Sequence, residues 1–113
     1  MSDRKLLEDA AKAAGYKVHE RLMRERGVAV PDEIALALSE PGTTWWNPLT
    51  DDGDALRLAV KLRIDFCIDP DDTMACAWCE PISDFMQDDL ATDEMAATRR
   101  AIVRAAAAIG GGE

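Results

Sequence analysis

The stretch TTWWNPLTDDGDALRLAVKLRI, residues 43–64, limits the possible fold more than any other part of the chain. It begins with β-branched and aromatic residues, which are typical of extended chain. Neighbouring side chains on a strand point to opposite faces of a sheet, so we expect Trp45 and Trp46 to separate, one entering the core and the other lying at an edge or on the surface. Asn47 ends this strand, because Pro48 disfavours the helical conformation in the residue before it.

The same stretch predicts a helix directly after this turn. Asp51 can accept hydrogen bonds from the first free backbone N–H groups, and the acidic residues that follow face the positive end of the helix dipole. Apolar residues then cover most of the circumference, and Arg57 and Lys61 form the only polar stripe. A helix of this kind is covered on more than one side. We therefore expect Leu58 and Leu62 in the core, and the acidic cluster needs no catalytic role.

The first part of the chain predicts helices and short strands. Ser2 can cap a first helix, which Gly15 ends in a left-handed conformation. Residues 16–19 favour a short strand, and residues 20–27 have helical propensity. Residues 28–42 fit either a strand or a short helix, because alternating apolar residues stand between proline-containing turns.

The second part contains the clearest hairpin of the chain. IDFCI, residues 64–68, alternates in polarity, residues 69–72 favour a turn, and residues 73–80 return as a strand. ISDFMQDDL, residues 82–90, is typical of an acidic loop or a short helical segment. Thr92 can cap the final helix, and the glycines at 110–112 are expected to end it.

Together these elements predict one α+β domain over residues 1–113, with a small, mainly antiparallel sheet covered by helices on both faces. The chain has 113 residues, of which 48 % are hydrophobic, and this suits one ordinary domain with a core. It lacks a run of about eighteen apolar residues, and its N-terminal stretch mixes charged residues into its apolar pattern, unlike a signal peptide. We therefore expect a cytoplasmic protein.

The acidic residues are concentrated in one segment. Residues 51–94 contain thirteen acidic and three basic residues, a net charge of −10, whereas the first 26 residues carry +2. This distribution argues against nucleic acid as a direct partner, because Lys and Arg must neutralise the phosphates. It favours a basic protein surface as the partner, or a solvated acidic face that maintains solubility. We expect no membrane association.

Some of these acids have no structural role in the expected fold. Helix caps and the hairpin turn account for the acids at 51–54, 69–72 and 93–94. Exposed acids beyond those positions act mainly by steering encounter and excluding wrong partners. The predicted partner-binding residues are Asp65, Glu80, Asp84, Asp88 and Asp89.

Three cysteines raise the question of metal or redox chemistry. The motif CAWC holds Cys76 and Cys79, and a hairpin can bring Cys67 near Cys76. With His19 they reach the four ligands of a structural zinc site. However, there is no second C-x-x-C motif, Cys76 and Cys79 face opposite ways on a regular strand, and nearby acids disfavour the thiolate that redox work requires. We therefore expect packing cysteines, with no metal and no cofactor.

Three stretches of the chain resemble known sequences: WNPLTDDGDALRLAVKL (46–62), ATRRAIVRAAAAIG (97–110) and LLEDAAKAAGY (6–16). They resemble a group of small phage and prophage proteins, some of which are described as phage α-β-α sandwich domains. The resemblance implies a phage-encoded accessory protein, located in the cytoplasm of the host cell, and it brings no catalytic residues.

Three functional classes remain open, besides a purely structural phage role. The first is a non-enzymatic, anti-CRISPR-like inhibitor of a host defence complex, acting through the acidic residues, with a homodimer possible in principle. The second is a small-molecule binder, such as a sponge for a nucleotide signal, which would use Arg99, Arg100, Trp45 and Trp46. The third is an enzyme or metalloprotein built on CAWC and His19. We expect the first, because the chain is small and acidic and shows no catalytic constellation.

Overall fold

A computed structural model describes residues 3–19, 36–40, 44–69, 74–79, 82–89 and 93–111, and describes residues 40, 44, 69, 74, 79 and 82–89 by their backbone. The helices in these ranges are α1 (Asp3–Ala14), α2 (Asp52–Leu62) and α3 (Glu94–Gly111). The strands are β1 (Lys17–Val18), β2 (Leu36–Glu40), β3 (Thr44–Trp46), β4 (Asp65–Asp69), β5 (Met74–Cys79) and β6 (Ile82–Asp89). They form two antiparallel sheets, ordered β1-β2-β3 and β4-β5-β6. The predicted α+β class with antiparallel strands is therefore confirmed, with two sheets in place of one.

Helix α1 ends where the sequence predicts. Gly15 has a φ of 77°, in the left-handed region that glycine adopts without a steric penalty. The next backbone N–H, that of Tyr16, donates to the carbonyl of Ala11 at 2.9 Å and closes the helix end. The predicted strand at 16–19 follows directly, although β1 is only two residues long. Ser2 and its predicted capping role lie outside the described residues.

The first sheet settles one of the open alternatives. Within residues 28–42, the strand prediction is correct for β2, which lies between β1 and β3. The side chains of Leu36, Ala37 and Leu38 are all buried, so both faces of this strand are covered. The predicted helix at 20–27 lies outside the described residues.

The two tryptophans separate as predicted. Trp46 is buried and packs edge-to-face on Tyr16, with 5.5 Å between ring centroids and 86° between ring planes. Lys61 from α2 places its Nζ 5.6 Å from the centroid of the same tyrosine ring. Trp45, on the opposite face of β3, is half-buried. The aromatic pair thus joins the first sheet to α2.

Helix α2 begins as predicted but is covered on one side only. Asp51 Oδ1 accepts the backbone N–H of Asp54 at 3.0 Å, which is the expected cap. Leu58 is fully buried, whereas Leu56 and Val60 are 56 % and 69 % exposed, and Leu62 is half-buried. The prediction of burial on more than one side is therefore wrong, because α2 packs on α3 with one face and leaves other apolar side chains in solvent.

The second sheet contains the predicted hairpin and one unpredicted strand. Strands β4 and β5 pair antiparallel over all five residues of β4. The expectation of a loop or helix at 82–90 is wrong, because this segment forms β6 and pairs with the other side of β5. Tertiary pairing thus overrides the low strand propensity of its acidic residues. Residues 70–73, in the expected turn, lie outside the described residues.

The final helix ends where the sequence predicts, but a different residue caps its start. Asp93 acts as its cap, since its Oδ1 accepts the N–H of Ala96 at 3.0 Å, and Thr92 lies outside the described residues. The helix runs to Gly111, so it ends within the predicted glycine stretch 110–112. A Cβ added to Gly110 would lie 1.8 Å from the carbonyl oxygen of Asp9. This glycine therefore permits close contact between α1 and α3.

Helix α3 makes the most extensive packing contacts of the described elements. It contacts α1, α2 and all three strands of the second sheet. On β5, Ala75 and Ala77 are buried, while Cys76 and Trp78 on the other face are half-buried. We infer that the alanine face of the sheet packs on the helix, and helical cover on both faces stays a prediction. None of the described helices combines the length and apolar character needed to cross a membrane.

Candidate functional site

The second sheet carries the strongest local charge in the described structure. We call the strands β4, β5 and β6 the acidic sheet, because they contain five acidic residues and neither Lys nor Arg. The acids lie on the two outer strands, and β5 between them is uncharged. They are Asp65, Asp69, Asp84, Asp88 and Asp89.

The strand register brings three of these acids to one end of the sheet. Met74 of β5 lies opposite both Asp69 and Asp89, so these two residues share a face. Since neighbouring strands lie about 4.8 Å apart, their Cα atoms are separated by about 10 Å. Asp88 lies beside Asp89, opposite Ala75 and on the other face. The backbone register therefore gathers three of the five acidic positions at one end of the sheet.

The remaining predicted partner-binding residues are spread along the chain. Asp65 is exposed and lies opposite Trp78, at the other end of β4. Asp84 belongs to β6, and Glu80 lies outside the described residues. Asp69 was assigned to the hairpin turn and so was missed. The signal that could have included it is the polar–apolar alternation of β4, which continues through this position.

The helices contrast with the acidic sheet in charge. Helix α1 contains three acidic and three basic residues, and α2 contains two of each. Helix α3 contains three arginines against one glutamate. Among the described helices and sheets, the acidic sheet is therefore the one with a net negative charge.

The acids at the start of α2 are engaged in folding contacts. Asp54 accepts the backbone N–H of Asn47 at 3.0 Å with one oxygen and Arg57 Nη2 at 2.8 Å with the other. This hydrogen bond raises the pKa of the Arg57 guanidinium above its ordinary value. Asp52 pairs with Arg99 Nη1 at 2.6 Å. These contacts agree with the expectation that the cluster has a structural role.

The predicted small-molecule residues have structural contacts of their own. Arg99 Nε donates to the carbonyl oxygen of Leu49 at 2.8 Å, which adds to its ion pair. Arg100 places two nitrogens 3.0 and 3.2 Å from the two carboxylate oxygens of Asp3. Trp46 packs against Tyr16, and Trp45 is half-buried. Both arginines therefore fasten α3 to other parts of the fold, and a ligand-binding role for these residues stays a prediction.

Two of the three cysteines lie next to each other, as predicted. Cys67 is exposed and lies directly opposite the half-buried Cys76 across β4 and β5. Cys79 lies opposite Ile82, beyond an irregularity in the register of β5 with β6. His19 directly follows β1 of the other sheet, and its backbone N–H donates to the carbonyl of Ala37. Among the described residues, no group of three or more His, Cys, Asp or Glu side chains is arranged to hold a metal ion.

Comparisons with known proteins add no function to this geometry. The chain matches no protein-family model, and comparisons with curated proteins and with solved structures gave no significant match. The charge of the acidic sheet and the exposure of residues 65–68 on β4 are thus the observations that bear on function.

Proposed function

We propose that this chain is a non-enzymatic binding protein that attaches to a basic surface of another protein through its acidic sheet. The observation that carries the proposal is the placement of five acids and no base on one sheet, while the described helices are neutral or positive. Charge placed in this way accelerates encounter with a positive surface. It also repels negative partners, nucleic acid among them.

Exposed apolar side chains on β4 favour an interface over a face that serves solubility alone. Phe66 and Ile68 are 41 % and 46 % exposed, and they alternate along β4 with the acidic positions 65 and 69, which belong to the opposite face of the strand. A partner that binds along an outer strand can contact both of its faces, so it can bury this apolar pair and meet the acids at the same time. The acids would set the approach and orientation, and the apolar pair would supply buried area.

Within this role, we propose that the partner is a host defence complex and that the chain inhibits it. The resemblance of residues 46–62 to small phage proteins supports this assignment. A complex that binds nucleic acid presents Lys and Arg along its binding surface. A small acidic protein can occupy that surface and compete with the nucleic acid.

Native mass spectrometry of the protein purified from host cells tests the proposed function. We expect a stoichiometric complex with a second protein that dissociates as the salt concentration rises, because screening weakens exposed charge pairs. A variant with Asp65, Asp84, Asp88 and Asp89 replaced by Asn should lose the complex. The control Glu8→Gln, an exposed acid on α1, should retain it. A retained nucleotide in place of a protein would favour the small-molecule function.

A further inference from the structure

Strand β4 forms one outer edge of the acidic sheet. The strand order is β4-β5-β6, and among the described residues β4 pairs only with β5. The side chains of Asp65, Phe66, Cys67 and Ile68 are all exposed. An outer strand carries a row of backbone N–H and C=O groups on the side away from its neighbour. These groups can pair with another extended chain.

The backbone of β4 has few of the features that protect strand edges. Natural edges are commonly blunted by proline, a bulge or very short length, and by charged side chains, lysine above all. Strand β4 has five residues without proline or lysine, and its register with β5 is regular from Asp65 to Asp69. The irregularity in this sheet lies between β5 and β6. The backbone of β4 is therefore more regular than that of the other outer strand, β6, and it is suited to pairing with a further strand.

The charges on β4 select against a second copy of the same strand. In an antiparallel pair of two copies centred on Cys67, Asp65 of each copy would lie opposite Asp69 of the other. Like charges placed directly opposite each other destabilise a sheet. The acids thus act as negative selection against self-association, and they attract a strand of the opposite charge.

The alternation of residues between the two faces of β4 specifies which residues such a strand would contain. Asp65, Cys67 and Asp69 share one face, and Phe66 and Ile68 share the other. A partner strand with Lys or Arg opposite the acids places its intervening residues opposite Phe66 and Ile68. Apolar residues at those positions bury the exposed pair.

We propose that β4 accepts an extended segment of a partner protein as a fourth strand, and that this segment alternates basic and apolar residues. The inference rests on the proposed function, since it identifies the part of the acidic sheet that makes the contact. In strand addition, backbone hydrogen bonds supply affinity and the alternate side chains supply specificity. The acids on β6 contribute to encounter from the other edge of the sheet.

Backbone amide exchange with a synthetic probe tests this inference. The full chain is measured by NMR with the capped peptide Lys-Val-Lys-Val-Lys and with its counterpart Glu-Val-Glu-Val-Glu. We expect the lysine peptide to slow exchange at alternate amides of β4, since only every second N–H points away from β5. The glutamate peptide should leave β4 unchanged. Asp65→Lys should weaken binding of the lysine peptide by about threefold to tenfold, and Glu8→Lys should leave it unchanged.

The possible failures of this experiment are distinguishable. Equal protection by both peptides would overturn the basic character of the partner strand. Protection of β4 in the chain alone, rising with its concentration, would assign the edge to a second copy. Absence of β4 protection with the lysine peptide would overturn strand addition. The proposed function fails separately, if neutralising the acids of β6 leaves the association with the natural partner unchanged.

Discussion

Gly110 lies against the backbone of Asp9, so close that an added Cβ would be 1.8 Å from the Asp9 carbonyl oxygen. This contact joins α1 and α3 near the end of the chain. Alanines line much of the surrounding core, and small side chains let helix backbones approach each other. The buried alanines of the two helices are Ala10, Ala11, Ala14, Ala97, Ala101, Ala105, Ala106 and Ala107.

Gly110→Ala should destabilise the fold by about 2 kcal/mol or more, because the nearest atoms belong to backbone that cannot move aside. This loss should exceed the gain of about 1 kcal/mol that alanine brings to a helix interior. Gly111→Ala is the matched control, since its Cβ would meet the side-chain oxygen Oδ2 of Asp9 at 3.1 Å. Urea melts of the two variants provide the measurement. Equal stability would show that the helices do not touch at Gly110.

Leu58→Ala should cost about 2–5 kcal/mol, because it removes a fully buried side chain from α2. Val60→Ala, two residues away and 69 % exposed, should change stability by less than about 0.5 kcal/mol. The free energies of unfolding of the two variants test the one-sided burial of this helix. Similar losses for both would restore the interpretation of a helix covered on more than one side.

Arg99→Ala should cost about 1–3 kcal/mol, since it removes a hydrogen bond to the Leu49 carbonyl and the pair with Asp52. Asp52→Ala should cost less than about 1 kcal/mol, because its side chain is 61 % exposed and surface pairs contribute little. Thermal or urea unfolding of both variants compares them. A stable Arg99→Ala variant that had lost a bound small molecule would instead support the ligand-binding prediction.

Cys67 and Cys76 should form an intramolecular disulfide when the protein is treated with oxidised glutathione. Directly opposite residues in an antiparallel pair have Cα atoms about 4.5–5.5 Å apart, which is within the range that a disulfide spans. Peptide mapping by mass spectrometry identifies the linked residues. The Cys79→Ser variant should keep this link, and Cys67→Ser should lose it. A Cys67–Cys79 link in the native protein would contradict the register of β4 and β5.

Local sequence signals predicted several element boundaries correctly. Gly15 and Asp51 act on the backbone within a few residues of themselves, so the end of α1 and the start of α2 follow from short motifs. The hairpin of β4 and β5 follows for the same reason, since polarity alternates within each strand. Signals that act over a few neighbouring residues do not depend on where the rest of the chain lies.

The unpredicted features depend on distant parts of the chain. Strand β6 exists because β5 offers a second edge, and its own acidic sequence is typical of a loop. Gly110 is needed because Asp9 lies against it, about one hundred residues earlier in the sequence. The one-sided burial of α2 likewise depends on which face meets α3.

For the candidate site too, the sequence predicted the features with local signals and missed those that depend on tertiary pairing. The sequence predicted acids without a local structural role, and it missed Asp69 because a turn explained that residue. It could not indicate that β4 is an outer strand, since strand order is set by tertiary pairing. The outer position of β4 among the described strands and the exposure of Phe66 and Ile68 are therefore findings of the structure.

The central claim is that the acidic sheet is the binding surface. The most direct test measures the association rate of a charge-reversed variant with the host protein that co-purifies with this chain. The variant carries Asp84→Lys, Asp88→Lys and Asp89→Lys on β6. Glu8→Lys on α1 serves as the control, and the change in association rate is divided by the number of reversed charges before the two proteins are compared. We predict that the triple variant keeps its stability and associates more slowly at low salt, because steering acts on the encounter rate. The difference should shrink at 0.1 M salt and above, where the screening length falls to about 10 Å. Association that is unchanged by the triple reversal and insensitive to salt would contradict the acidic sheet as the binding surface.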